Sequence, residues 1–265
     1  MTRVVVDWVQ SLPLPGMFIV TFAATLSGAL AITIAVRVAL RALGYGEGRP
    51  LVLKDAAVNT TSAMFALMMA FSAAGIWQNS EHAHTAVQRE ANALENLYGV
   101  ADGFPLELKE RTRADVRAYA KQVLAGDWPA MLRREQFTAA IYDQSESILI
   151  VLMEAISREA AGQSLPTALP AIGQIVEARS ARLQRITLAT QGVTTAQWIA
   201  MILIASAALT ALAMVNNHEL VSQLFAVAIY TGAASAAFFV VLAHDRPFVG
   251  RISVSAEPIS HLLTR

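Results

Sequence analysis

Four stretches of the chain carry almost no charge, and a long polar stretch separates the second from the third. The apolar runs extend from Met17 to Val36, Ala56 to Ser80, Trp198 to Val215 and Leu220 to Ala243. Charged side chains bound them: Arg37 and Arg41 after the first, Asp55 and Glu81 around the second, and His244, Asp245 and Arg246 after the fourth. A hydrocarbon core about 30 Å thick needs about 20 apolar helical residues, so each run predicts a membrane-spanning helix. Only Asn216, Asn217, His218 and Glu219 separate the last two, which predicts an antiparallel hairpin. A cleaved signal peptide is the rival for the first run, since Ala29-Leu30-Ala31 has the small-x-small form of a cleavage site. Asp7 and the length of the run speak against it. Buried core helices are the rival for the others, and four such runs in one small chain speak against that.

Between the second and third spans the polar residues read as helices. Nothing breaks the second helix at Ser80, so it is expected to continue through Glu81 to Tyr98 and end near Asp102-Gly103. Pro105 suits the first turn of the next helix, which Gly126-Asp127-Trp128-Pro129 is expected to stop. Further helices are expected over about Arg134 to Glu159 and from about Ile172 through Arg179, Arg182 and Arg185. No period-two strand pattern and no internal repeat interrupts this. The expected fold is an all-α integral membrane protein, with four transmembrane helices and a helical extramembrane domain between the second and third spans. Its parts are a first transmembrane pair (1–80), the helical domain (81–195), a second transmembrane hairpin (196–244) and a C-terminal tail (245–265).

Composition sharpens this picture. Hydrophobic residues make up 55% and charged residues 15%, against about 25% charged in soluble domains. The 20 basic and 20 acidic residues balance, so no field favours nucleic acid. The chain contains no cysteine, which excludes disulfides, thiolate metal sites and cysteine nucleophiles. His82 and His84 lie two apart and do not face each other on a helix, so no metal site is expected. There is no P-loop, Gly-x-Ser-x-Gly, His-Glu-x-x-His or dinucleotide-binding glycine motif, so neither an enzyme nor a cofactor is expected. An even number of spans puts both termini and the polar domain on one side. Arg37, Arg41, Arg49 and Lys54 pull the short loop on the other side toward the cytoplasm. Arg3, Arg179, Arg182, Arg185, Arg246, Arg251 and Arg265 pull the opposite way, and the expectation follows them: a cytoplasmic domain.

Several local patterns occur in order. They are Glu90-Ala91-Asn92-Ala93-Leu94, Tyr119 with Trp128-Pro129, Ala178-Arg179-Ser180-Ala181-Arg182-Leu183, and Asp245-Arg246-Pro247-Phe248-Val249-Gly250. Together they resemble the bacterial bestrophin-like family of small four-span proteins, over nearly the whole chain. Bestrophins are pentameric ion channels whose second transmembrane helix lines an apolar neck and whose helical domain surrounds a cytosolic vestibule. The resemblance therefore implies a homo-oligomer, a pentamer, conducting small inorganic ions across the lipid bilayer. It also marks Glu90, Asn92, Arg179, Arg182, Asp245, Arg246, Pro247, Phe248 and Gly250 as structural residues of the family pattern. Animal bestrophins follow a related segment with a calcium-binding cluster of acids. Here Arg251, Ile252, Ser253, Val254 and Ser255 follow, so calcium gating of that type is not expected.

On a helix, Ser62, Phe65, Met69 and Ser72 share one face of the second span, flanked by Asn59 and Ile76. Thr61, Met64, Met68, Phe71 and Gly75 form an opposing face. Either set suits an apolar constriction that gates by dewetting, and ordinary helix packing suits both as well. The polar group Asn59, Thr60, Thr61 and Ser62 favours the channel, because polar residues inside a span face protein or water. Beyond the membrane Glu81, Gln88 and Glu95, with His84, make a wet face that suits either a vestibule lining or a plain solvated surface. Glu90 and Asn92 are expected to bond to Arg179 or Arg182 and fix the domain. A membrane-anchored sensor or scaffold, whose helical domain binds a protein partner, is the alternative function.

Overall fold

The computed structural model describes residues 8–9, 12–45, 55–133, 139–162, 166–217, 219–249 and 253–264. The described part is helical throughout and divides into two compact units. One comprises Met1–Trp77 with Gly192–Asp245, and the other Gln78–Gln191 with Arg246–Arg265.

The first unit holds helix α1 (Leu14–Ala42), the first half of α2 (Asp55–Val100), α7 (Thr195–Val215) and α8 (Leu220–His244). All four are long and apolar enough to cross a membrane. Lipid offers spans no hydrophobic drive to associate, so close packing of small residues and internal hydrogen bonds must hold them. Ala29 of α1 accordingly packs with Leu209 of α7 and Val227 of α8, and Met17 packs with Leu242. Hydroxyls within the spans turn back on their own helices. Thr21 donates to the Met17 carbonyl at 2.8 Å, Thr33 to Ala29 at 2.8 Å and Ser72 to Met68 at 2.9 Å. Buried Gln223 of α8 ties three helices together, donating to the Ala213 carbonyl of α7 at 2.6 Å while accepting from Arg37 Nε of α1 at 2.5 Å. Thr194 and Gln197 form a reciprocal cap at the start of α7, and the adjoining Val193 N–H donates to Asp245 Oδ1 at 2.5 Å.

The second unit packs the rest of α2 with α3 (Leu106–Gln122), α4 (Trp128–Arg133), α5 (Ala139–Gly162) and α6 (Ala168–Thr190). A short C-terminal helix, α9 (Glu257–Ser260), places Ile259 in the same core, and Leu262 follows it there. The apolar stripe of α2 supplies Ala83, Val87, Leu94 and Leu97, all buried. As expected, α2 runs past Ser80; it ends at Val100 in a tight turn over Ala101–Gly103, and Pro105 caps α3.

Gly126-Asp127-Trp128-Pro129 does not stop the helix. Val123–Asp127 form a π-helical turn that leads directly into α4. The Trp128 N–H donates to the Val123 carbonyl, five residues back. A proline ring clashes with the carbonyl four residues earlier in a regular helix, and the widened turn relieves that clash at Pro129. It also turns Asp127 inward, where it is fully buried. Helix α6 starts earlier than the periodicity suggests. It begins at Ala168, and α5 is described from Ala139, with 134–138 outside the described residues.

Candidate functional site

The spanning half of α2 has two unlike faces. Phe65, Met69 and Ile76 are 8%, 7% and 6% exposed and pack with Met201 of α7 and Ala234 and Val241 of α8. Phe65 lies between two rings of α8, with centroids 5.9 Å from Tyr230 and 6.0 Å from Phe238. Ser62 and Ser72 are half-buried on the same side, and Asn59 is exposed. On the opposing side Met64, Leu67 and Phe71 are 60%, 57% and 68% exposed. Thr61 and Met68 are half-buried between the faces, and Gly75 is open. An apolar helix that crosses a membrane offers such a face to lipid, to another subunit or to a pore.

In the second unit Glu81 and His84 are exposed on α2. Gln88 and Glu95 are half-buried. With Asn92, Glu257 and His261 they line a cleft of about 350 Å³ between α2 and the C-terminal segment. Part of the wet stripe of α2 is thus covered by the chain's own tail.

The same unit is held by a buried ionic cluster. Arg179, Arg182 and Arg185 recur every three residues along α6, so the three guanidinium groups follow one side of it over about 9 Å. Glu90 comes from α2, Asp127 from the π turn and Glu146 from α5. Glu90 accepts from Arg185 Nε at 2.7 Å and Nη2 at 3.0 Å, and from the Tyr119 hydroxyl at 2.8 Å. Asp127 accepts from Arg182 Nε at 2.9 Å, Arg185 Nη2 at 3.2 Å and the Ser145 hydroxyl at 3.0 Å. Glu146 accepts from Arg182 Nη1 at 3.2 Å and Arg179 Nε at 2.7 Å. Three carboxylates thus face three guanidinium groups, and Arg182 and Arg185 have no exposed surface. The Arg185 guanidinium also stands 5.6 Å from the centre of the Trp128 ring.

Burial alone works against both cations. The hydrogen bond and charge of Asp127 on Arg182, and chiefly those of Glu90 on Arg185, outweigh it and raise both pKa values. Burial, and then the adjacent Glu90 charge, push the Tyr119 phenol well above its ordinary 10.0. Each carboxylate and each guanidinium has a partner within the cluster, which thereby braces four helices. Among the described residues no group of three histidine or acidic side chains is placed to hold a metal ion.

The sequence patterns fall on this cluster, with different partners from those expected. Glu90 binds Arg185 and Tyr119 rather than Arg179 or Arg182, because those two arginines are engaged by Asp127 and Glu146. Asn92 points away and is exposed. Asp127, Glu146 and Ser145 do not stand out in the sequence: Asp127 sits in what looks like a helix stop, and Glu146 is one acid among many. The three-residue spacing of the arginines was the available signal. In the last pattern Asp245 is buried at the start of α7, and Pro247 accepts from the Val254 N–H at 2.8 Å. Phe248 is buried edge-on against Trp128, 5.7 Å between centroids, and Arg246 is half-buried. Gly250 lies outside the described residues.

A family model for the bestrophin-like domain matches residues 52–259. Solved structures share the fold. A bacterial bestrophin homologue from Klebsiella pneumoniae, a single-site variant, superposes with a TM-score of 0.69 at 15% identity, covering 93% of this chain and 95% of its own. A structure described as a membrane protein gives 0.68 at 15% identity, covering 93% and 96%. A second Klebsiella pneumoniae variant gives 0.66 at 14%, covering 91% and 97%. No curated protein sequence matches the chain. With four helices able to span a membrane, the helical fold of the bestrophin homologues and a family match over most of its length, the chain belongs to the bestrophin-like family.

Proposed function

We propose that the chain assembles into a homo-oligomeric channel, a pentamer by likeness to bestrophins, that conducts small inorganic ions passively along a central path lined by α2. The hosting bilayer is the bacterial inner membrane, with the helical unit and both termini in the cytoplasm. The unequal burial of the two apolar faces of α2 carries this reading. Phe65, Met69 and Ile76 hold α2 to its own bundle, while Met64, Leu67 and Phe71 remain for a neighbour or a pore. That asymmetry favours as the lining the side that holds Met64 and Phe71 of the second candidate face, with Leu67 beside them and Thr61 and Met68 turned partly into the bundle. In a ring, three apolar side chains at three- and four-residue spacing would narrow the path and gate it by dewetting. Glu81 and His84 continue on an exposed stretch of α2 and are the proposed vestibule residues, with rings of Glu81 favouring cations.

The absence of cysteine makes the test direct. Single cysteines at Met64, Leu67 and Phe71 are introduced in turn, and currents are recorded in planar bilayers while a charged thiol-reactive methanethiosulfonate is added. Current should be blocked at these positions and spared in Phe65→Cys and Met69→Cys. The reverse pattern would return the lining to Asn59, Ser62, Phe65, Met69, Ser72 and Ile76. A bilayer that stays silent across pH and voltage would remove the channel and leave the membrane-anchored scaffold. Glu81→Gln and Glu95→Gln test the vestibule, since a reversal potential that does not move in either excludes both from the ion path.

A further inference from the structure

Between α1, α7 and α8 lies a cavity of about 400 Å³ with an almost wholly apolar wall. Its shape along the spans is informative. On α1 the lining runs from Val20 to Ile32, on α7 from Trp198 to Leu209, and on α8 from Leu242 back to Tyr230. At 1.5 Å per residue each of these stretches is about 16 to 18 Å long. Trp198 is in the first turn of α7 and Leu242 in the last turn of α8, so the cavity starts at one end of the bundle. It ends near the middle of the spans. A hydrocarbon core about 30 Å thick gives each leaflet about 15 Å, so the cavity is one leaflet deep. Spread over that depth, 400 Å³ leaves a mean cross-section of about 22 Å². This is roughly 5 Å for the centres of the atoms that fill it and about 8 Å from wall to wall, room for a methylene chain but less than a helix, which is about 10 Å or more.

We propose that this cavity is a lipid site that takes one hydrocarbon chain from the leaflet beside the N-terminal end of α7. A helix of a second copy would have to run the full thickness and is too wide. Exposed Ala24 and Gly28 of α1 line the cavity, so it opens sideways and a chain can enter from the bilayer. The wall supplies dispersion contacts along its whole length, and those contacts, not hydrophobicity, would retain a chain that is already in hydrocarbon. One polar atom tests the ligand's chemistry. The Thr231 hydroxyl lines the deep end, is buried, and makes no hydrogen bond, whereas Thr21 and Thr25 on the same wall donate to their own helix. A plain hydrocarbon chain has no use for that hydroxyl, while a ligand with an acceptor at that depth would bind it. The proposal is independent of whether α2 lines a pore.

The test uses the full chain in liposomes of phosphatidylethanolamine and phosphatidylglycerol, doped with a phosphatidylglycerol bearing a diazirine at the chain end. After photolysis the labelled residues are mapped by mass spectrometry. Label should concentrate at the deep end, on Gly28, Ile32, Leu209 and Tyr230. Gly28→Leu should abolish it, since no atom lies within 4 Å of the added Cβ and the side chain can occupy the cavity. Ala24→Leu should do the same nearer the mouth, while label on the outward Ile19 and Ile34 persists in both. Thr231→Val should leave the deep label intact. Uniform label along α1 that Gly28→Leu and Ala24→Leu do not change would overturn the proposal, as would cross-links from the cavity to a second copy. Loss of label in Thr231→Val would also overturn it, pointing to a ligand that accepts a hydrogen bond.

Discussion

Replacing Glu90 by leucine should destabilise the helical unit more than any comparable change on its surface. The substitution removes two charge-assisted hydrogen bonds of Arg185, at 2.7 and 3.0 Å, and the acceptor of the Tyr119 hydroxyl. Arg185 remains wholly buried, with Asp127 Oδ2 at 3.2 Å as its remaining carboxylate, and that oxygen already serves Arg182 at 2.9 Å. A neutral set of three and three becomes a buried net cation. Removing one partner of a buried pair costs about 3–5 kcal/mol, most of it the desolvation of the charge left behind. For a chain of this size that corresponds to a fall in Tm of roughly 10 °C. Thermal unfolding of detergent-solubilised protein, followed by circular dichroism, reads it. The decisive arm is the double variant Glu90→Leu with Arg185→Met, which restores neutrality with apolar groups of similar length. It should recover most of the loss, giving a coupling of about 2–4 kcal/mol between the two sites. Equal instability of the single and double variants would refute the reasoning, because the cost would then come from packing at position 90 and not from an unpaired guanidinium.

Three further outcomes follow from other sites. The Tyr119 phenol has a folded pKa well above 10.0, whereas the unfolded chain ionises near the ordinary value. Its contribution is therefore fully present below about pH 10 and is lost as pH rises beyond that, and Tyr119→Phe should flatten this alkaline decline in a series of denaturation curves. Gly103→Ala places a Cβ 2.8 Å from Thr167 Cγ2 and should cost about 1–3 kcal/mol. Thr167→Ala should relieve it in a double variant, since Thr167 Oγ1 has no hydrogen bond to lose; failure of that rescue in urea titrations would mean the strain lies elsewhere. Gln223→Leu should lower the stability of the membrane unit by about 1–3 kcal/mol, as it strips partners from the Ala213 carbonyl and Arg37 together, and an unchanged melting curve would show that water replaces it.

The spans were legible because a bilayer imposes one length and one polarity on each, and the sequence meets both. The run of α2 past Ser80 was legible for a related reason, since no glycine, proline or cap interrupts the stripe Ala83, Val87, Leu94. What could not be seen was which carboxylate meets which arginine. Glu90 and Arg185 are 95 positions apart, and their pairing depends on how α2 and α6 pack. The faces of α2 were undecidable for a different reason. Both carry methionine and phenylalanine, side chains that fill a bundle core as readily as they line a constriction. Only the neighbours Tyr230 and Phe238 distinguish Phe65 from Phe71.

The π turn at Val123–Asp127 amounts to one surplus residue in an otherwise periodic stretch, and it resets the angular phase of everything that follows. Tightening it into regular helix with every residue kept would rotate α4 by about 100° relative to α3. Asp127 would swing away from Arg182 and Arg185, and Trp128 would leave both the Arg185 guanidinium and the Phe248 ring. The charge neutrality of the core is therefore written partly as a spacing, and tightening the turn, with no charged atom removed, would undo it as surely as mutating the carboxylate.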